Sequence, residues 1–112
     1  MSLQPQKAIN LLSVCRKAGK LVLGFDSVKE KILSGKAACI IAADDISQKT
    51  LKELRFFSKD KNIRIISIGA DSDSFLEITG KKTVTAAVCD KGFADALIRL
   101  GTDAVQSDRK QQ

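Results

Sequence analysis

The sequence predicts a single α/β domain, a three-layer α/β/α sandwich of about four central strands and five helices. Three observations carry this. Helical and strand patterns alternate from one end of the chain to the other. Residues 37–43 are a continuous apolar run, the character of a central strand covered on both faces, and residues 84–89 read as another central strand. The 112 residues are 44% hydrophobic and 29% charged, an ordinary globular balance with room for one domain. Strands separated by helices of this length place helices on both sides of a sheet. The domain is assigned to residues 1–106 and a polar tail to residues 107–112.

The elements follow in order. Residues 3–18 put Ala8, Leu11, Leu12, Cys15 and Ala18 on one helical stripe that Gly19 ends. Leu21, Val22 and Leu23 form a short strand. Residues 27–34 read as a helix with Val28 and Ile32 inward, followed by the strand over residues 37–43. Residues 47–60 form an amphipathic helix capped by Ser47, with Leu51, Leu54 and Phe57 as its buried ridge. Residues 63–68 are a strand, 71–77 a short helix, and 84–89 a central strand. A last helix runs from Phe93 to Gly101, or as far as Val105.

Several chemistries are excluded by composition. There is no histidine, so Ser-His and Cys-His nucleophile pairs are absent. The glycines form neither a dinucleotide-binding turn nor a Walker loop. Cys15, Cys39 and Cys89 each sit in an apolar run with no paired spacing, which reads as reduced, structural cysteine rather than a metal or disulfide framework. The pair Asp44-Asp45 ends a strand, where it either supports the start of the helix that Ser47 caps or offers a metal site; the helix-supporting role is favoured. No apolar stretch approaches the ~18–20 residues of a membrane-spanning helix, and the start lacks the apolar core of a signal peptide. A cytoplasmic, non-catalytic protein without cofactor or membrane partner is expected.

The net charge of +6 is uneven. Residues 1–36 carry Lys7, Arg16, Lys17, Lys20, Lys29, Lys31 and Lys36 against only Asp26 and Glu30, whereas the remainder is nearly balanced. Concentrated positive charge attracts polyanions, so nucleic acid is the first partner to consider. Residues 16–31 run from a basic helix end through a short strand into a helix start. Gly24 permits a tight turn there, and Asp26 or Ser27 can cap the helix, Ser27 with Glu30 forming a capping box. The amides of its first turn suit a phosphate, with Lys20, Lys29 and Lys31 as countercharge. The same residues also describe an ordinary capped surface helix with solvated lysines.

The run RKAGKLVLGFDSVKEKILSGKAACIIAADDIS, residues 16–47, resembles the signature half of the kink-turn-binding ribosomal-protein superfamily (L-seven-Ae and L-thirty-e). The segment Asp90-Lys91-Gly92-Phe93-Ala94 is similar to one that recurs in its bacterial YlxQ-like branch. The resemblance covers roughly residues 7–101. It implies the α/β/α fold and the binding of a sharply bent RNA stem through tandem G·A pairs and an extruded base. The family's turn glycine matches Gly24, and its polar trio falls on Phe25, Asp26 and Ser27. Its helix lysine falls on Glu30, between Lys29 and Lys31. The acidic strand end matches Asp44, Asp45 and Ile46, and the second binding loop falls on Lys81, Lys82, Thr83, Val84 and Thr85.

The departures have physical consequences. Asp26 loses amide donors but still accepts from a guanine edge, Ser27 has a shorter reach, and Glu30 brings negative charge toward phosphates unless it turns back into the capping box. With neither Trp nor Tyr and only five Phe, extensive base stacking is not expected. Phe25 is the only Phe expected on the binding face, where it either meets RNA or joins the core. The expected partner is structured RNA, a kink-turn stem in ribosomal RNA or an mRNA leader, bound by a monomer. The competing expectation is a protein-interaction adaptor on the same fold.

Overall fold

The computed structural model describes residues 5–104, so the expected tail at 107–112 lies outside the described residues. Ten elements alternate along the chain: α1 (Pro5–Lys17), β1 (Leu21–Leu23), α2 (Phe25–Leu33), β2 (Cys39–Ala42), α3 (Gln48–Ser58), β3 (Arg64–Ser67), α4 (Ser72–Thr79), β4 (Thr85–Val88), α5 (Lys91–Leu100) and β5 (Thr102–Asp103). The strands form one sheet in the order β1-β4-β2-β3-β5. β2 and β3 run parallel, and the other neighbouring pairs are antiparallel.

Alternation along the strands builds two cores, as the period of two requires. Cys39, Ile41, Ile66, Ala86 and Val88 face α1, α4 and α5, where Leu12, Phe75 and Leu97 close the layer. Ile40, Ala42, Ile65 and Ala87 face α2 and α3, against Val28, Ile32, Leu51 and Leu54. This is the expected three-layer sandwich. It places the carboxyl ends of β1, β2 and β3 beside the amino end of β4, with α2, α3 and α4 all starting from that end of the sheet. The carboxyl ends of parallel strands are where α/β folds form ligand crevices.

Four local readings are corrected. The last helix stops at Leu100 and does not continue toward Val105. The Gly101 amide donates to the Leu97 carbonyl at 3.0 Å, and a Cβ at Gly101 would lie 2.5 Å from the Ser67 carbonyl oxygen. Only a glycine lets the chain pass this close to β3, and the residues beyond pair with it as a fifth strand in place of the expected four. Arg64 fastens that edge to Asp103 at 2.6 Å.

α2 begins at Phe25, not Ser27. Gly24 is its N-cap at φ 96° and ψ 151°, and its carbonyl accepts from the Val28 amide at 2.9 Å. Ser27 therefore lies within the first turn, no side chain caps the helix, and the Ser27–Glu30 capping box does not form. Glu30 instead lies exposed, 3.9 Å from Lys31. Ser47 caps α3 through the Thr50 amide at 3.1 Å, and the hydrogen bonds of Asp44 and Asp45 reach beyond that helix start. The Ser67 hydroxyl donates to Asp44 at 2.6 Å, and the Ser72 amide and hydroxyl donate to Asp45 at 2.9 and 2.6 Å. The two carboxylates thus tie the end of β2 to the β3–α4 connection.

Thr85 is fully buried, and its hydroxyl has no hydrogen-bond partner. Leaving a buried hydroxyl unpaired costs about 1–3 kcal/mol. Thr85→Val, which keeps the shape and removes the hydroxyl, is expected to raise stability by about 1 kcal/mol in urea denaturation; a loss of stability would mean that the hydroxyl is satisfied in solution.

Cys15 and Cys39 are fully buried and Cys89 half-buried, all as free thiols. Burial pushes the Cys15 thiol up to about 11 and the Cys39 thiol up to about 12. Folding therefore favours their protonated forms. That stabilisation is complete below pH 8, where unfolded thiols also hold their protons, and is lost as pH rises through about 9 to 12. The urea midpoint should fall across that alkaline window under reducing conditions and hold steady in Cys15→Ala/Cys39→Ala, apart from losses due to lysine titration common to both proteins.

Candidate nucleic-acid interface

β1 delivers Gly24 to the edge of the sheet opposite Thr85, where the Gly24 amide donates to the Thr85 carbonyl at 3.1 Å. Its φ of 96° with ψ 151° belongs to a region that is essentially glycine's alone. This conformation turns the strand directly into α2 without a spacer. The first-turn amides of Phe25, Asp26 and Ser27 have no intrahelical acceptors, and Gly24 offers no side chain to satisfy them. By contrast Ser47, Asp71 and Asp90 cap α3, α4 and α5. The N-terminus of α2 keeps its positive partial charge facing outward.

The loop between α4 and β4 folds over this turn. Gly80 closes α4 in the left-handed conformation at φ 80°. The Thr79 hydroxyl accepts from the Lys81 amide at 3.2 Å, which aims Lys81 across the sheet end. A Cβ placed on Gly24 would lie 3.1 Å from the Lys81 Nζ. An ammonium group thus rests at the positive end of a helix, an arrangement that an anion beside both would stabilise. Lys82 lies beside it, 3.3 Å from Asp73.

Thr83 and Thr85 are buried, so they shape the loop rather than face solvent. The Thr83 hydroxyl donates to the Thr85 carbonyl at 3.2 Å and accepts from its amide at 3.4 Å. Val84 is half-buried on the α1–α4–α5 core, and its carbonyl accepts from the Ala43 amide at 2.8 Å. That bond joins the loop to the Asp44–Ile46 turn, where Ile46 is half-buried against α3. The hydrogen bond from the Ser72 hydroxyl, joined by backbone amides and the Lys82 ammonium, holds the Asp45 carboxyl below its usual range against an opposing desolvation. Asp45 is an anionic anchor for α4.

The structure therefore gathers Gly24, Phe25, Asp26, Ser27, Lys82, Thr83, Val84, Thr85, Asp45 and Ile46 at one end of the sheet. The lysines expected beside them separate. Lys29 is near, its Nζ 4.6 Å from the Phe57 ring centroid. Lys20 is not: it precedes β1, its carbonyl accepts from the Cys89 amide, and it stands roughly 13 Å of extended chain from Gly24. Lys31 and Lys36 lie toward that end as well, where the Lys36 amide donates to the Lys31 carbonyl at 2.9 Å and the Ala38 amide donates to the Val88 carbonyl at 2.7 Å, next to Cys89. The expected convergence of Lys20 with the α2 amides is thus corrected, and Lys81 occupies the place assigned to it. The loop containing Lys81 is marked by the sequence, but nothing local indicates its reach over Gly24.

Phe25 is not the only Phe at this end. Half-buried itself, it meets Phe57 edge-on at 6.4 Å between centroids, and Phe57 meets Phe56 at 5.4 Å. The α3 spacing that marks Phe57 as a ridge residue leaves Phe56 outward.

A model of the Ribosomal protein L7Ae/L30e/S12e/Gadd45 family matches residues 6–98. The chain is 28% identical over 89 residues to the RNA-binding protein YlxQ of Enterococcus faecium, spanning 80% of this chain and 85% of that relative. A Bacillus halodurans protein described as of unknown function has a similar structure, with a TM-score of 0.78 and 25% identity over 84% of this chain and 95% of its own. The Giardia lamblia 15.5 kD RNA binding protein has a TM-score of 0.69 and 18% identity over 82% of each chain, a likeness of fold alone. With the match running from α1 into α5, the chain belongs to the Ribosomal protein L7Ae/L30e/S12e/Gadd45 family, on its YlxQ-like branch.

Proposed function

We propose that this protein binds structured RNA without catalysing a reaction, and that it selects a kinked stem of the kink-turn type. The observation that carries the reading is the placement of the Lys81 ammonium over Gly24, at the uncapped N-terminus of α2. A backbone phosphate docking at this turn would accept from first-turn amides and from the Lys81 ammonium beside them. Asp26, exposed in the same turn, accepts from the N1 and N2 hydrogens of a guanine. Val84 supplies apolar surface for an unstacked base. Family membership and the RNA-binding name of the Enterococcus relative support the same partner class.

Phosphate contacts fix position while base edges exposed in an irregular stem supply selectivity. The protein acts in this reading as a cytoplasmic monomer associated with ribosomal RNA. Fluorescence anisotropy with a kink-turn duplex, and with a control whose G·A pairs are replaced by Watson–Crick pairs, tests it. A preference of about a hundredfold for the kinked duplex, or about 2.7 kcal/mol, is expected, with affinity falling steeply with salt. Equal affinity for the two duplexes removes shape recognition, and failure to bind either removes the RNA reading.

A further inference from the structure

A groove of about 410 Å³ lies between α2 and α3, walled by Phe25, Phe56 and Phe57 with Lys29, Lys52 and Glu53 at its rim. Phe56 is the most exposed of the large hydrophobic residues among those described, at 63%. A single exposed apolar side chain is unremarkable in a soluble protein. Here it belongs to a chain of three edge-to-face rings. A lysine ammonium also stands over two of them, Lys29 over Phe57 at 4.6 Å and Lys59 over Phe56 at 5.3 Å. Aromatic faces combined with surrounding cations form the chemistry by which proteins hold unpaired nucleotides without sequence preference.

We propose that this groove is a second RNA contact, in which Phe56 stacks against an unpaired base while Lys29 and Lys59 meet the adjoining phosphates. The inference rests on the reading above and extends its footprint, because Phe25 both opens α2 and walls the groove. An RNA strand leaving a stem held at the α2 N-terminus therefore enters the groove directly. Charge favours RNA over an acidic protein segment: Lys29 and Lys59 stand over the rings, with Lys52 and Glu53 also on the rim. The base takes the surface of Phe56 that lines the groove, and Lys59 turns from the ring to the adjoining phosphate.

The test uses the blunt kink-turn duplex and the same duplex with a single-stranded extension of about six uridines. The extension is expected to tighten binding about tenfold, in the range of one stacked base. Phe56→Ala should abolish that gain and leave affinity for the blunt duplex unchanged. Phe56 is exposed, so its truncation leaves the cores intact. In parallel, free oligouridine is titrated while the NMR signals of the phenylalanine rings are followed, with an abasic oligomer of equal length as control. Ring shifts of Phe56 with uridine but not with the abasic oligomer are expected.

If the blunt duplex binds but the extension gives no gain, or the gain persists in Phe56→Ala, the groove is not an RNA contact and the kink-turn reading stands. If oligouridine shifts Phe56 while no duplex binds, the kink-turn reading falls and the groove stands as a single-strand site. Equal responses to uridine and abasic oligomers reduce the surface to a polyanion patch and overturn stacking.

Discussion

Lys81→Glu is expected to weaken binding to a kink-turn duplex by roughly 30- to 100-fold at moderate salt, with no change in melting temperature. The substitution removes a cation and places an anion beside the Gly24 turn, where Lys81 Nζ now lies 3.1 Å from the position of a Gly24 Cβ. Reversing one close charge contact in a partly desolvated site is worth about 2–3 kcal/mol, which sets that range. The slope of affinity against salt should also fall by about one to two phosphate contacts. Lys81 is exposed, so the fold should not register the change. Lys20→Glu is the matched control: equally exposed, but at the far end of β1, it should weaken binding only about two- to threefold through the general field. Equal losses from the two variants would place the RNA elsewhere.

Gly24→Ala should have a comparable effect on binding and, unlike Lys81→Glu, a marked effect on stability. A residue with a Cβ does not hold φ 96° with ψ 151° without a penalty of about 1–3 kcal/mol. The new methyl would also press on the Lys81 amine at 3.1 Å. Relaxing the turn breaks the bond from the Gly24 amide to Thr85 and tilts the first-turn amides of α2 away from Lys81. Urea denaturation should therefore show a loss of about 2 kcal/mol, while binding at temperatures where the protein remains folded falls at least tenfold. Full affinity in a folded Gly24→Ala protein would show that the turn geometry is not what presents the site.

How far this could be read from residues alone varied with the range of the interaction concerned. The apolar stripes of α1, α3 and α5, the continuous run around Ile40 and the strand pattern around Ala87 are strong local signals, and they determine a layered α/β/α domain. Asp26 and Ser27 are good capping residues and predict an α2 start two residues too late, whereas the chain uses the φ freedom of Gly24 and the Thr85 carbonyl instead. β5 was invisible because two residues carry no periodicity; its existence depends on Gly101 slipping past Ser67. Asp44 and Asp45 act on Ser67 and Ser72, partners that only the sheet order brings near.

The binding face shows the same division. Gly24 and the turn after it are marked by a glycine between a strand and a helix, and the loop from Lys81 to Thr85 by resemblance. The grouping of the lysines was not legible, because β1 separates Lys20 from Gly24 by its whole length. α2 likewise carries Lys31 toward Cys89 while holding Lys29 against Phe57. A cluster of positive charge in sequence became two clusters in space.

Backbone amide chemical-shift mapping with an unlabelled kink-turn duplex bears most directly on the claim that the α2 amides and Lys81 jointly hold RNA. The largest perturbations are expected at Phe25, Asp26 and Ser27 and across Lys81 to Val84. Perturbations centred instead on Lys20, Lys31 and Lys36, with the α2 amides unmoved, would contradict it.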